Sequence, residues 1–325
     1  MATIPGLPWR VERRLGEGAY AEVFLVDGPG GRLACKLARP AASKPREQAS
    51  SGTSTSGSSD GDRFWARGVQ LGTGSATPWD AEPNAVLEAE GHALARIHHP
   101  AFVRLESWGR CGGPEAPRVW LLLEWIEGQT WRGCMGSRVR LAHVVELARA
   151  IAEAHQRGEL DHHGDLKPEN LLLDRAGRVR IVDPASGSLE RDAYGTVRKM
   201  LVTDWYSPWR TPSDLPAIGL LAIEAETGEH PLCAVAASKS GPSSTRPLGP
   251  GLTAYLGRAG RTGAEAMVDR ITRMRMPREL SPSMPHGLEQ SALRCLGLAW
   301  DGRQLEMVEP YGSVAEAGAD LARYA

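Results

Sequence analysis

Several runs of this chain carry a hydrophobic rhythm that predicts their structure. Between Arg10 and Ala38, the residues Val11, Leu15, Val23, Phe24 and Val26 are β-formers. Asp27-Gly28-Pro29-Gly30-Gly31 is a strong hairpin turn, and Leu33-Ala34-Cys35-Lys36-Leu37 follows it. Strands joined by short turns are expected there. From residue 84 to 98, Leu87, Leu94 and Ile97 fall on one stripe at helical period, which predicts a helix. Glu90 lies on that stripe and Glu88 points away from it. A carboxylate on an inward face needs a partner, because burying an unpaired charge is costly. Lys36 is the expected partner.

Further along, Val119-Trp120-Leu121-Leu122-Leu123 reads as a buried strand, with Glu124-Trp125-Ile126-Glu127-Gly128 as a connector. Apolar residues at Leu141, Val144, Val145, Leu147, Ala148, Ile151 and Ala152 predict a helix from Leu141 to about Gln156. Leu171-Leu172-Leu173, a turn at Asp174–Gly177 and the alternating Val179-Arg180-Ile181-Val182 predict a hairpin that sets Asn170 beside Asp183. Leu215 to Thr227 is a further apolar helix, closed by Gly228 and Pro231. The Ser/Gly/Pro-rich stretch Ser238–Pro250 is expected to be a mobile loop, and helical segments are expected from there to the C-terminus.

Residues 41–80 break this rhythm. Positions 50–62 hold no apolar residue, cannot contribute to a core and are expected to be disordered. Phe64, Trp65 and Trp79 are unusual in a linker and are the part expected to touch the rest of the protein or a partner.

Composition narrows the class. The 325 residues are 42% hydrophobic, enough for one large two-lobed domain or two small ones. A net charge of −1 favours neither nucleic acid nor an anionic membrane as partner. No apolar run is long enough to span a membrane, and MATIPGLPWR lacks the pattern of a signal peptide. The cysteines at 35, 111, 134, 233 and 295 are odd in number and never form C-x-x-C, which predicts reduced thiols in a cytoplasmic protein. Lysine occurs only at 36, 44, 167, 199 and 239, and asparagine only at 84 and 170. A chain this sparing of both places Lys36, Lys167 and Asn170 where a phosphate site would use them.

The densest chemistry is His163-Gly164-Asp165-Leu166-Lys167-Pro168-Glu169-Asn170, followed by Asp183. It offers a carboxylate to orient a hydroxyl, an ammonium for phosphate and oxygen ligands for Mg²⁺, the groups phosphoryl transfer needs. This stretch resembles the catalytic loop and metal-binding aspartate of the eukaryotic-like protein kinase family. The resemblance runs from about Leu15 to Arg303. Gly16-Glu17-Gly18-Ala19-Tyr20-Ala21-Glu22-Val23 is similar to that family's glycine-rich loop, with Ala21 where a third glycine is usual, and Ala34-Cys35-Lys36 follows it.

The resemblance implies an α+β, two-lobed fold. A small β-rich N-lobe at 1–126 would carry one main helix and the 41–80 insertion, and a mostly helical C-lobe would occupy 127–325. It implies that Asp165 orients the acceptor hydroxyl and accepts its proton, and that Lys167 lies on the γ-phosphate of ATP, the mark of a serine/threonine kinase. Gly16, Gly18, Val23, Ala34, Lys36, Glu90, Glu124, Ile126 and Leu172 would form the nucleotide site, and Asn170 and Asp183 would hold Mg²⁺. The implied partner is a protein substrate, with 41–80 as a further contact surface.

The chain also departs from the family. Gly164 stands where many members carry an arginine that pairs with a phosphorylated activation loop, so phosphate on Ser186, Ser188, Thr196 or Thr203 is not expected to be needed. Asp183-Pro184-Ala185 replaces Asp-Phe-Gly. Trp209, in Tyr206-Ser207-Pro208-Trp209, stands where a glutamate would pair with an arginine, for which Arg303 is the candidate. These departures keep open two alternatives: a nucleotide-binding pseudokinase scaffold, and a kinase of a small molecule.

Overall fold

The computed structural model describes residues 7, 9–40, 83–113, 117–184, 190–191, 197–199, 205–209, 213–232, 247–254, 271 and 273–325. The expectations for residues 41–80 and for Ser186, Ser188, Thr196 and Thr203 fall outside these.

The N-terminal lobe is an antiparallel sheet of β1 (Arg10–Glu17), β2 (Ala21–Gly28), β3 (Gly31–Ala38), β4 (Leu105–Cys111) and β5 (Arg118–Glu124), in the order β1-β2-β3-β5-β4. Side chains alternate between its faces. Leu15, Val23, Leu25 and Ala34 point inward, and Val11, Val26, Leu33, Cys35 and Leu37 point outward. Both faces are buried, because Leu7 and Trp9 cover the outer one, where Trp9 meets Trp120 edge-on at 4.6 Å.

Helix α1 (Pro83–Leu94) packs against the inner face. Asn84 ties its start to β5 by donating to the Pro117 carbonyl at 3.0 Å and accepting from the Val119 N–H at 2.8 Å. The helix stops at Leu94, short of the expected residue 98. Two further turns, Arg96 to Ala93 and Ile97 to Leu94, still bring Ile97 into the core.

The second lobe is mostly helical. It begins with β6 (Gly128–Thr130) and the short α2 (Trp131–Cys134), then α3 (Leu141–Gln156). The predicted hairpin is present as β7 (Leu171–Asp174) and β8 (Val179–Ile181), with β6 paired to β7. Two short strands, β9 (Glu190–Arg191) and β10 (Val197–Lys199), pair beyond it. Helix α4 (Leu215–Thr227) is buried on all sides from Leu215 to Ala225, which fits its unbroken apolar sequence, and Gly228 ends it at φ 75°. Helices α5 (Pro277–Leu280), α6 (His286–Cys295) and α7 (Val314–Leu321) complete the lobe.

Two expectations are corrected here. The C-terminal region is not helical throughout: β11 (Leu298–Trp300) and β12 (Leu305–Met307) form a hairpin between α6 and α7. The end of the predicted mobile loop at Ser238–Pro250 is docked on that hairpin, with Leu305 N–H donating to Pro247 at 3.0 Å and Gly249 N–H donating to Leu305 at 2.9 Å. Residues 238–246 fall outside the described ones.

All four described cysteines are buried free thiols. Burial pushes those of Cys35 and Cys295 up to about 12, so they stay protonated. Among the described residues no helix is long and apolar enough to cross a membrane.

Candidate active site in the cleft between the lobes

Lys36 lies on β3, between Val23 of β2 and Leu121 of β5. Its Nζ donates to Glu90 Oε2 at 2.7 Å and to Asp183 Oδ1 at 2.8 Å. The predicted helix phase therefore holds: Glu90 is buried, whereas Glu88 pairs with the exposed Arg110 at the surface. One ammonium serves two carboxylates. Burial pushes Glu90 up to about 7, against the pull of Lys36, and its Oε1 is a buried oxygen without a partner among the described residues. Burial would raise Asp183 too, but Lys36 and then Lys167 hold it below the usual carboxylate range.

Asp183 arrives beside Asn170 as the hairpin predicts. The Val182 N–H donates to the Asn170 carbonyl at 3.0 Å and closes the return of the chain. Asp183 has φ +57°, the single positive φ of a non-glycine residue among those described. Such backbone strain persists only where the surroundings impose it, and here the bond to Lys36 accompanies it.

Asp165, Lys167 and Asn170 converge across a short 3₁₀ turn, Pro168–Asn170. Lys167 Nζ donates to Asp165 Oδ2 at 2.5 Å. Asn170 Nδ2 donates to the Asp165 carbonyl at 2.9 Å and to its Oδ2 at 3.2 Å. A carbonyl only accepts, so this fixes the amide and leaves Asn170 Oδ1 as the atom available to a cation.

The loop is fastened from below by its own main chain. The N–H groups of His163 and Gly164 donate to Asp214 at 2.7 and 2.9 Å. Burial would raise Asp214, but His155 and these two N–H groups hold it low. His163 is fully buried, and burial lowers its pKa, so the ring is neutral. Its Nε2 donates to the Val182 carbonyl at 2.9 Å, and its Nδ1 accepts from the Asp165 N–H at 3.3 Å. With both nitrogens engaged it is a structural residue.

The remaining predicted residues fall on the N-lobe sheet and at its junction with the second lobe. Gly16 stands opposite Val23 in the β1–β2 ladder, and Gly18, at the exposed tip, donates to the Ala21 carbonyl at 2.7 Å. Val23, Ala34, Ile126 and Leu172 share one apolar cluster with Leu15, Leu123 and Val182. Leu172 and Val182 reach it from the second lobe. The Glu124 side chain accepts from the Arg104 N–H at 3.0 Å and from Arg180, and its own N–H donates to the Arg104 carbonyl at 3.0 Å.

A divalent cation fits this donor set. Asp183 supplies a half-exposed carboxylate and Asn170 an amide oxygen, and Mg²⁺ takes few protein oxygens when phosphates complete its shell.

The sequence reading missed a second cluster. Arg132 of α2 donates to Glu169 at 2.8 Å, to Glu224 of α4 at 2.6 Å and to Tyr206 Oη at 3.0 Å, and Tyr206 in turn donates to Glu224. Arg303 does not hold the end of the 205–209 segment. It is exposed on the turn between β11 and β12, where its N–H donates to Asp301 at 2.7 Å. Trp209 is fastened instead through its own indole, to the Leu296 carbonyl at 2.7 Å.

A five-stranded lobe with one helix, a helical lobe and a cleft lined in this way define a protein-kinase-like fold. The solved PknI kinase domain of Mycobacterium tuberculosis superposes over 99% of this chain and 98% of its own, with a TM-score of 0.52 and 20% identity. Serine/threonine-protein kinase PknB of Mycolicibacterium smegmatis is 23% identical over 159 residues, which cover 44% of this chain and 25% of that protein. Serine/threonine-protein kinase pkn2 of Myxococcus xanthus is 28% identical over 165 residues, covering 45% and 19%. The matched stretch thus spans a quarter or less of these relatives. A family model described as Seadornavirus VP7 matches residues 132–193. The chain is thus similar in fold, and over less than half its length in sequence, to bacterial eukaryotic-like serine/threonine kinases.

Proposed function

We propose that the chain is a serine/threonine protein kinase that transfers the γ-phosphoryl group of ATP to a protein hydroxyl, with its lobes divided at about Ile126. The observation that carries this reading is the shared ammonium of Lys36, bonded at once to Glu90 and Asp183, within a cleft whose floor brings Lys167 and Asn170 onto Asp165.

In this reading Glu90 aims Lys36 at the α- and β-phosphates. The backbone of Gly16 and Gly18 covers them, and Val23, Ala34 and Leu172 enclose the base. The main chain at Glu124 and Ile126 meets the edge of the base. Asn170 and Asp183 hold Mg²⁺, which supplies charge neutralisation of the phosphates when bound. Asp165 orients the acceptor hydroxyl and takes its proton. Lys167, already on Asp165, carries positive charge to the transferring group. Burial would lower its pKa, but Asp165 raises it, so it stays charged.

The test is incubation of the purified protein with labelled ATP, Mg²⁺ and a panel of proteins, with Asp183→Ala as control. Label on serine or threonine that vanishes in the variant supports the reading. Nucleotide binding without transfer to any protein overturns it and favours a scaffold.

A further inference from the structure

The segment Trp205–Trp209 is fastened at two points. Upstream, the Tyr206 hydroxyl sits between Arg132 and Glu224. Downstream, Trp209 Nε1 donates to the Leu296 carbonyl at 2.7 Å. Between them Ser207 and Pro208 are buried. Leu296 is the C-terminal cap of α6, where carbonyls lack helical partners and carry the negative end of the helix dipole. An indole N–H can only donate, so it suits such an end.

The acceptor carbonyl is itself immobile relative to the catalytic loop. At Gly219 of α4, a Cβ would lie 2.5 Å from the Ala292 carbonyl and 2.7 Å from Cys295 Cβ, so the last turn of α6 is pressed onto the backbone of α4. The same α4 is preceded by Asp214, which holds the N–H groups of the loop leading to Asp165. Trp209 is therefore tied to the rigid body that places the catalytic aspartate. Through Arg132 the upstream end reaches Glu169, next to Asn170.

We propose that Trp209 is a positioning residue whose indole N–H pins residues 205–209 as a preformed shelf for the acceptor substrate, a neutral bond doing the work of an ion pair. This rests on the kinase reading above. The pin involves no charge, so it should not weaken with salt.

The test compares the full chain with Trp209→Phe, which keeps an aromatic ring in the packing and removes the N–H. Dephosphorylated casein serves as acceptor with Mg-ATP. Losing one neutral bond should raise KM for casein about fivefold, at low and high salt alike, with KM for ATP unchanged. Amide exchange at 205–209 should accelerate by a similar factor. A purely structural residue would lower thermal stability without separating the two KM values. Equal KM for casein in both proteins, or parallel rises for casein and ATP, overturns the pin. If the parent protein transfers nothing to casein, the kinase reading is at fault, and amide exchange alone decides the pin: unchanged exchange in Trp209→Phe overturns it.

Discussion

The 163–170 loop and the 205–209 segment are both tied to α4, by buried carboxylates near its opposite ends, yet the two ties differ in kind. Asp214, just before the helix, accepts from the main-chain N–H groups of His163 and Gly164. Glu224, near its end, accepts from the side chains of Arg132 and Tyr206. Backbone donors are present whatever the side chain, so the loop keeps its place through many substitutions. The segment depends on particular side chains and must be rebuilt when one changes. The electrostatics agree. Burial raises both acids, but the nearby His155 and the backbone donors hold Asp214 low, whereas Glu224 remains raised despite Arg132.

The sharpest way to separate chemistry from fastening is Asp165→Ala. The loop should stay in place, since its N–H anchors do not involve that carboxylate. Transfer should fall about a thousandfold, as for loss of a general base, while nucleotide affinity measured by calorimetry holds. Unchanged turnover would remove Asp165 from the mechanism.

Next comes the fastening itself. Asp214→Asn turns one of the two acceptor oxygens into an NH2 group, so one of the His163 and Gly164 N–H groups loses its acceptor, which should cost about 2–3 kcal/mol in urea unfolding. The folded pKa of Asp214 lies below its unfolded value. Its contribution is therefore complete above the unfolded pKa and is lost as pH falls through the folded one. The deficit of the variant should shrink in acid. A pH-independent deficit would mean that shape, and not charge, is what matters there.

A smaller effect is expected at Glu90. Its pKa of about 7 means that it takes up a proton as pH falls through neutrality, weakening its hold on Lys36. kcat/KM for ATP should therefore drop below about pH 7. Glu90→Gln should be about tenfold slower at pH 8 and should lose that acid limb. Persistence of the limb in the variant would assign it to another group. Smallest of all, Glu88→Gln should change kcat/KM by less than about twofold, because its partner Arg110 is exposed and such pairs contribute little. A large loss there would contradict the helix phase.

The same contrast explains what the sequence discloses. The helices Leu141–Gln156 and Leu215–Thr227, the 171–181 hairpin and the inward phase of Glu90 are visible because each depends on local periodicity or a tight turn. The loop from His163 to Asn170 is visible because its chemistry is consecutive. The β11–β12 hairpin is not, since strands of three residues carry too short an alternation to distinguish from a helical run. Strand β4 is an edge strand with Trp108 exposed and lacks an inside–outside pattern. The Arg132–Glu169–Glu224–Tyr206 cluster joins residues far apart in the chain, and no local signal marks it. Trp209 reads as the loss of an anchor until the Leu296 carbonyl is seen.

Gly164 has a consequence for which side chain its position can carry. It reads as a missing arginine, but its φ is +84°, in the region where an L side chain is strained, and its N–H is committed to Asp214. Restoring an arginine there would cost about 1–2 kcal/mol of backbone strain before any phosphate could repay it. Gly164→Ala and Gly164→Arg should then lose similar stability in thermal melts, since the cost lies in the Cβ and not in the guanidinium. The backbone at Gly164 therefore disfavours a phosphate-binding arginine, whatever the activation segment carries.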